Sequence, residues 1–114
     1  VFFSDLPTVT VDELPSDAVV LDCREDDEWR AGHIEGAVHV PMHEVPDRLA
    51  TDPGLLTPDA AIVVVCKVGS RSAHLTDWLN RSGYSATNLE GGMYAWAASG
   101  RPMVADGEGP PYIL

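Results

Sequence analysis

Four short apolar runs recur along the chain, separated by polar or amphipathic stretches. Ala18–Asp22 (A-V-V-L-D) is a strand candidate that ends in an acid. Ala37–Val40 is a second, stopped by Pro41, and Ala86–Leu89 is another. Ala61–Val65 is the strongest: continuous, mostly β-branched and apolar on both faces, as a buried parallel strand requires. Helical spacing fills the gaps. Asp26 or Asp27 can cap a short helix that Gly32 ends. Pro46–Ala50 reads as part of a short helix starting as early as His43. Ser70–Ser82 carries Ala73, Leu75, Trp78 and Leu79 on a near-helical stripe, with Gly83 as its stop. Gly92–Ser99 puts Met93, Trp96 and Ala97 on one side of a last helix.

Strand and helix therefore alternate four times, which predicts an α/β fold with a mainly parallel sheet and helices on both faces. Thr51–Asp59, with two prolines and a glycine, is a loop. From Met103 onward two glycines and two prolines crowd a short span. The expected organisation is one domain over 1–104 and a loosely ordered tail over 105–114. In such sheets ligands bind beyond the carboxyl ends of the strands. Cys66 follows the strongest strand directly, so its position alone makes it a site candidate.

Charge narrows the field. The chain of 114 residues has 18 acids against 7 bases, a formal charge of −11. Such a surface repels nucleic acid and anionic lipid, so neither is expected as a partner. The longest apolar run, Ala60–Cys66, is far short of the roughly 20 residues a membrane span needs. The start, V-F-F-S-D-L-P-T, lacks a basic n-region and an apolar h-region, and a cytoplasmic location is expected. The two cysteines, Cys23 and Cys66, show no C-x-x-C spacing, which argues for reduced thiols and against a disulfide framework or a zinc site.

Against that negative background, C-K-V-G-S-R-S (66–72) gathers two of the seven cations around one thiol, with no acid from Lys67 to Thr76. Gly69 permits backbone conformations closed to other residues. Loop amides and the start of the next helix can then form an anion-binding concavity. A helix N-terminus and nearby cations lower a cysteine pKa, and the thiolate is the attacking form. Ser70 or Ser72 either bonds the sulfur or caps the helix, capping being the plainer role. Arg71 either binds an anion or pairs with an acid to hold the loop. Lys67 either contacts substrate or is solvated.

The loop resembles the active-site loop of rhodanese-like sulfurtransferases, often C-x-x-G-x-R-S. Three further segments are similar to that family in the same order: L-D-C-R-E (21–25), G-H-I-E-G-A-V-H-V-P (32–41) and L-E-G-G-M-Y-A-W (89–96). The resemblance implies a central five-stranded parallel sheet and sulfur transfer through a cysteine persulfide. It implies Cys66 as nucleophile, and Lys67, Val68, Gly69, Ser70 and Arg71 as the cradle for the persulfide and an anionic donor such as thiosulfate. The acceptor is cyanide or a biological thiol, small or on a protein. No metal or organic cofactor is implied. Asp22, Arg24 and Ser72 support the loop, Asp22 and Arg24 as an ion pair. His33 reads as a hydrogen-bonded structural residue, and Trp29, Trp78 and Trp96 as packing residues. Cys23, where the family usually has an aliphatic residue, is expected to point away from Asp22 and Arg24 as a packing residue rather than a resolving thiol.

Three rivals stand beside this reading. Cysteine phosphatases of the related fold resemble C-x5-R, whereas Cys66 to Arg71 is C-x4-R, a smaller pocket that suits a sulfur atom better than a tetrahedral phosphate. A regulatory binding module needs no cysteine. A persulfide carrier keeps the chemistry but takes its sulfur from a partner.

Overall fold

The computed structural model describes residues 5–114. Residues 1–4, the front of the V-F-F-S-D-L-P-T segment, lie outside the described residues. The elements run β1 (Thr8–Val9), β2 (Val19–Asp22), α1 (Asp26–Ala31), β3 (Val38–His39), α2 (Val45–Thr51), β4 (Ala61–Val65), α3 (Ser70–Arg81), β5 (Ser85–Leu89) and α4 (Gly92–Ala98). Single 3-10 turns at Val11–Glu13 and Met42–Glu44 precede β2 and α2.

The five strands form one sheet in the order β1-β5-β4-β2-β3, and every pairing is parallel. The β-branched run of β4 lies at its centre. Ile62, Val63, Val64 and Val65 are all at most 2% exposed. Strand alternation sends Ile62, Val64 and Cys66 to one face, where Leu21, Cys23, Leu49, Leu75 and Leu79 join them. It sends Val63 and Val65 to the other, against Leu89, Met93 and Trp96. So α2 and α3 cover one face and α4 the other. Each fully buried aliphatic side chain contributes about 1.5–3 kcal/mol. Among the described residues no helix is long and apolar enough to cross a membrane.

Differences from the sequence reading are local. β1 was not expected: two residues carry no periodicity, and they become a strand only by pairing Thr8 with Asn88 and Val9 with Leu89. The N-cap of α1 is Glu25, not Asp26 or Asp27; Glu28 Oε1 reaches back to accept from the Glu25 N–H, while the Glu28 N–H donates to Asp27 Oδ1. The helix after Pro41 starts as a 3-10 turn at Met42 before continuing as α2. Beyond residue 104, no helix or strand forms. There the Asp106 N–H donates to Arg30 O, the Tyr112 N–H donates to Ala31 O, and Ile113 packs on the core. His33 and Val104 form an antiparallel bridge.

Candidate active site

The site forms where β4 ends and α3 begins. Cys66 leaves the sheet centre on the apolar face, and Gly69, with φ +106°, turns the chain into α3. This turn aims donors at the sulfur. The Gly69 N–H lies 3.1 Å from Cys66 Sγ, the Ser72 N–H 3.4 Å and Ser72 Oγ 3.2 Å. Ser72 therefore bonds the sulfur, and neither serine caps α3, whose N-cap is Gly69.

The loop carbonyls face the other way because α4 takes them. The Met93 N–H donates to Cys66 O at 2.8 Å and the Tyr94 N–H to Lys67 O at 3.2 Å. Asn88 Nδ2 donates to Gly69 O at 3.1 Å. These contacts require α4 to approach the loop backbone closely, and Gly92 permits it: a Cβ there would meet Cys66 O at 2.3 Å.

Burial is the largest single influence on the Cys66 thiol and pushes its pKa up. The hydrogen bond from Ser72 Oγ, then those from the amides of Ser72, Gly69 and Val68, outweigh it, and the net shift is downward. The leading stabilising groups are therefore fixed dipoles, and Arg71 adds a weaker Coulombic attraction to the sulfur. Cys66 is 0% exposed.

Each cation has a partner in place. Arg71 makes a two-pronged ion pair with Glu28 of α1, Nη1 to Oε1 at 2.8 Å and Nη2 to Oε2 at 2.9 Å. The pairing with Arg71 holds the Glu28 carboxyl down to about 2 and raises the Arg71 pKa. Of the two roles open to Arg71 in the sequence, the resting structure displays the pairing. Lys67 Nζ sits over the Tyr94 ring, 5.6 Å from its centroid. Val68 and Ser70 are exposed on the loop surface.

Asp22 and Arg24 are both fully buried and joined at 2.7 Å. Their pair braces α1 rather than the 67–71 loop directly: Arg24 Nη2 also donates to Gly32 O at 2.8 Å. α1 also carries Glu28, the partner of Arg71 in the loop. His33 Nδ1 lies 2.7 Å from Trp29 O, and its ring stacks on Trp29 at 3.6 Å.

Glu28, Asn88 and Gly92 belong to the site although the sequence reading did not single them out for it. Gly92 had a signal in the glycine pair of the L-E-G-G-M-Y-A-W segment. Glu28 is one acid among five within residues 22–28 and carries no mark of its own.

Comparison with known proteins gives this geometry its context. The family model for the rhodanese-like domain matches residues 9–99. The chain belongs to the rhodanese-like domain family. A protein named sulfurtransferase from Allochromatium vinosum is 37% identical over 90 residues, 78% of this chain and 80% of that one. The thiosulfate:glutathione sulfurtransferase of Saccharomyces cerevisiae is 31% identical over 108 residues, 86% of this chain and 77% of that one. The crystal structure of a rhodanese-related protein from Thermoplasma volcanium superposes with a TM-score of 0.75 at 29% identity, covering 86% of this chain and 97% of the other. Relatives named sulfurtransferase at this level of identity support a rhodanese-type sulfurtransferase in general.

Proposed function

We propose that this rhodanese-like domain moves a sulfane sulfur from a small anionic donor such as thiosulfate to a thiol acceptor or cyanide, through a persulfide on Cys66. The observation that carries the reading is the set of donors on one sulfur: Gly69 N–H, Ser72 N–H and Ser72 Oγ all within 3.4 Å of Cys66 Sγ. They stabilise the thiolate before attack and hold the charge of the persulfide afterwards.

The Cys66 thiolate attacks the outer sulfur of thiosulfate. A new S–S bond forms, the donor's S–S bond breaks, and sulfite leaves with the electron pair. An acceptor thiolate, or cyanide, then takes the outer sulfur and returns Cys66 to its thiolate. Lys67 offsets charge on the departing sulfite. The amides of Val68, Gly69 and Ser70 line the route, and Arg71 shares its guanidinium between Glu28 and the incoming anion. No cofactor takes part.

The Arg71–Glu28 clamp also favours a second reading. With Arg71 already neutralised, the pull on a free dianion weakens, and a persulfide carrier fed by a partner protein becomes the alternative. One experiment separates the readings. The purified protein is incubated with thiosulfate, a small-molecule cysteine persulfide or an aryl phosphate, and Cys66 is followed by mass spectrometry. The proposal expects one added sulfur atom on Cys66 from thiosulfate and no phosphate release. Loading from the persulfide alone selects the carrier reading. No added sulfur on Cys66 and no consumption of either donor ends both.

A further inference from the structure

A second thiol stands at the carboxyl edge of the sheet. β2 and β4 are parallel neighbours with Asp22 opposite Val65. The ladder continues one step further, since the Cys23 N–H donates to Val65 O at 3.1 Å. The next rung sets Cys23 beside Cys66. Their side chains share a face, packed in one buried cluster with Leu21 and Val64. Cys23 Sγ lies 3.4 Å from Val65 O, the carbonyl immediately before Cys66. Neighbouring strands are about 4.8 Å apart, inside the Cα separation of about 4.4–6.8 Å that a disulfide spans. Both thiols are free.

A cleft of about 430 Å³ adjoins this pair on the Cys23 side. Cys23, Met42 and Pro46 give it an apolar lining, and Glu25, His43 and Arg71 add polar groups. The expected packing role explains the burial of Cys23. It does not explain a nucleophile that both lines a cleft and shares a buried cluster with the reactive sulfur, where an aliphatic side chain would pack as well.

We propose that Cys23 discharges the Cys66 persulfide, which gives the protein a second activity: release of hydrosulfide coupled to oxidation of a dithiol. This inference rests on the persulfide reading above. The Cys23 sulfur attacks Cys66 Sγ. The Cys23–Cys66 bond forms, and the bond from Sγ to the outer sulfur breaks. The outer sulfur takes that electron pair and the Cys23 proton and leaves as hydrosulfide. The persulfide is itself the oxidant. An external dithiol entering the cleft then reduces the disulfide by two exchanges and departs oxidised, restoring both thiols. Burial, with Cys66 nearby, pushes the Cys23 pKa far up, so Cys23 stays protonated at rest and does not compete for donors.

The test compares the wild-type protein with Cys23→Val and Cys23→Ala, two variants that keep the site apolar. Each is loaded without oxygen, in one arm by thiosulfate and in another by inorganic polysulfide, and then freed of donor. In the wild type the added sulfur should disappear as a Cys23–Cys66 cross-linked peptide pair and about one equivalent of hydrosulfide appear. In both variants the persulfide should last at least about tenfold longer, and a small dithiol should restore the wild type to its loaded capacity. Equal persulfide lifetimes without a cross-link overturn the proposal, as does recovery of the added sulfur on Cys23. Loading by polysulfide but not thiosulfate defeats the thiosulfate reading while the polysulfide arm still decides the role of Cys23. Loading by neither overturns both.

Discussion

Cys66→Ser is expected to abolish sulfur transfer, a loss of roughly four orders of magnitude or more, with little change in stability. The serine hydroxyl is nearly isosteric and can accept the same hydrogen bonds from Gly69 and Ser72. It remains protonated at neutral pH, and oxygen cannot form the labile S–S linkage that stores the transferred atom. Fold and chemistry therefore separate. Turnover with thiosulfate and a thiol acceptor should vanish while the unfolding free energy from urea titration stays within about 1 kcal/mol of the parent. Residual transfer above a few per cent would move the nucleophile elsewhere, Cys23 being the next thiol.

Gly92→Ala should show the second-largest effect, in both stability and rate. A Cβ at that position would lie 2.3 Å from Cys66 O and 2.8 Å from the carbonyl carbon and oxygen of Lys67, at φ +57°. All three atoms are backbone, so the strain resolves only by moving α4 off the loop. That movement breaks the bonds from Met93 N–H and Tyr94 N–H, which keep the loop carbonyls turned from the sulfur. A destabilisation of about 2–4 kcal/mol is expected, with more than tenfold loss of transfer in the fraction that still folds. Gly83→Ala is the comparison: its φ of +97° is also unfavourable, but nothing lies within 4 Å of the added Cβ. It should cost about 1–2 kcal/mol and leave the rate unchanged. Equal effects at the two positions would remove α4 from the account of the loop.

Much of the fold was legible in the sequence because it rests on local chemistry. β4 is an uninterrupted β-branched run, and its expected bounds, Ala61–Val65, match the structure. The α3 stripe of Ala73, Leu75, Trp78 and Leu79 needs only helical spacing to be seen. β1 was invisible for the opposite reason, being a strand solely through its partner β5. The site divides in the same way. Cys66, Gly69 and Ser72 sit within seven residues and announce themselves. Glu28 reaches Arg71 across 43 positions and Asn88 reaches Gly69 across 19. No spacing rule encodes those distances. The electrostatic reading changed most. In the sequence the loop looked electropositive because acids were absent nearby, yet α1 delivers one to Arg71, and hydrogen bonds from Ser72 and the loop amides become the main force lowering the Cys66 pKa.

A pH titration of the Cys66 thiolate tests this control by fixed dipoles most directly. Ultraviolet thiolate absorbance, together with the pH dependence of alkylation, would be followed in Cys23→Val and in the same variant carrying Ser72→Ala. With the folded pKa lowered, the thiolate should prevail from a pH below the ordinary cysteine range upward, and Ser72→Ala should shift the transition toward higher pH. A Cys66 that remains protonated up to or beyond the ordinary cysteine value, unmoved by Ser72→Ala, would contradict it.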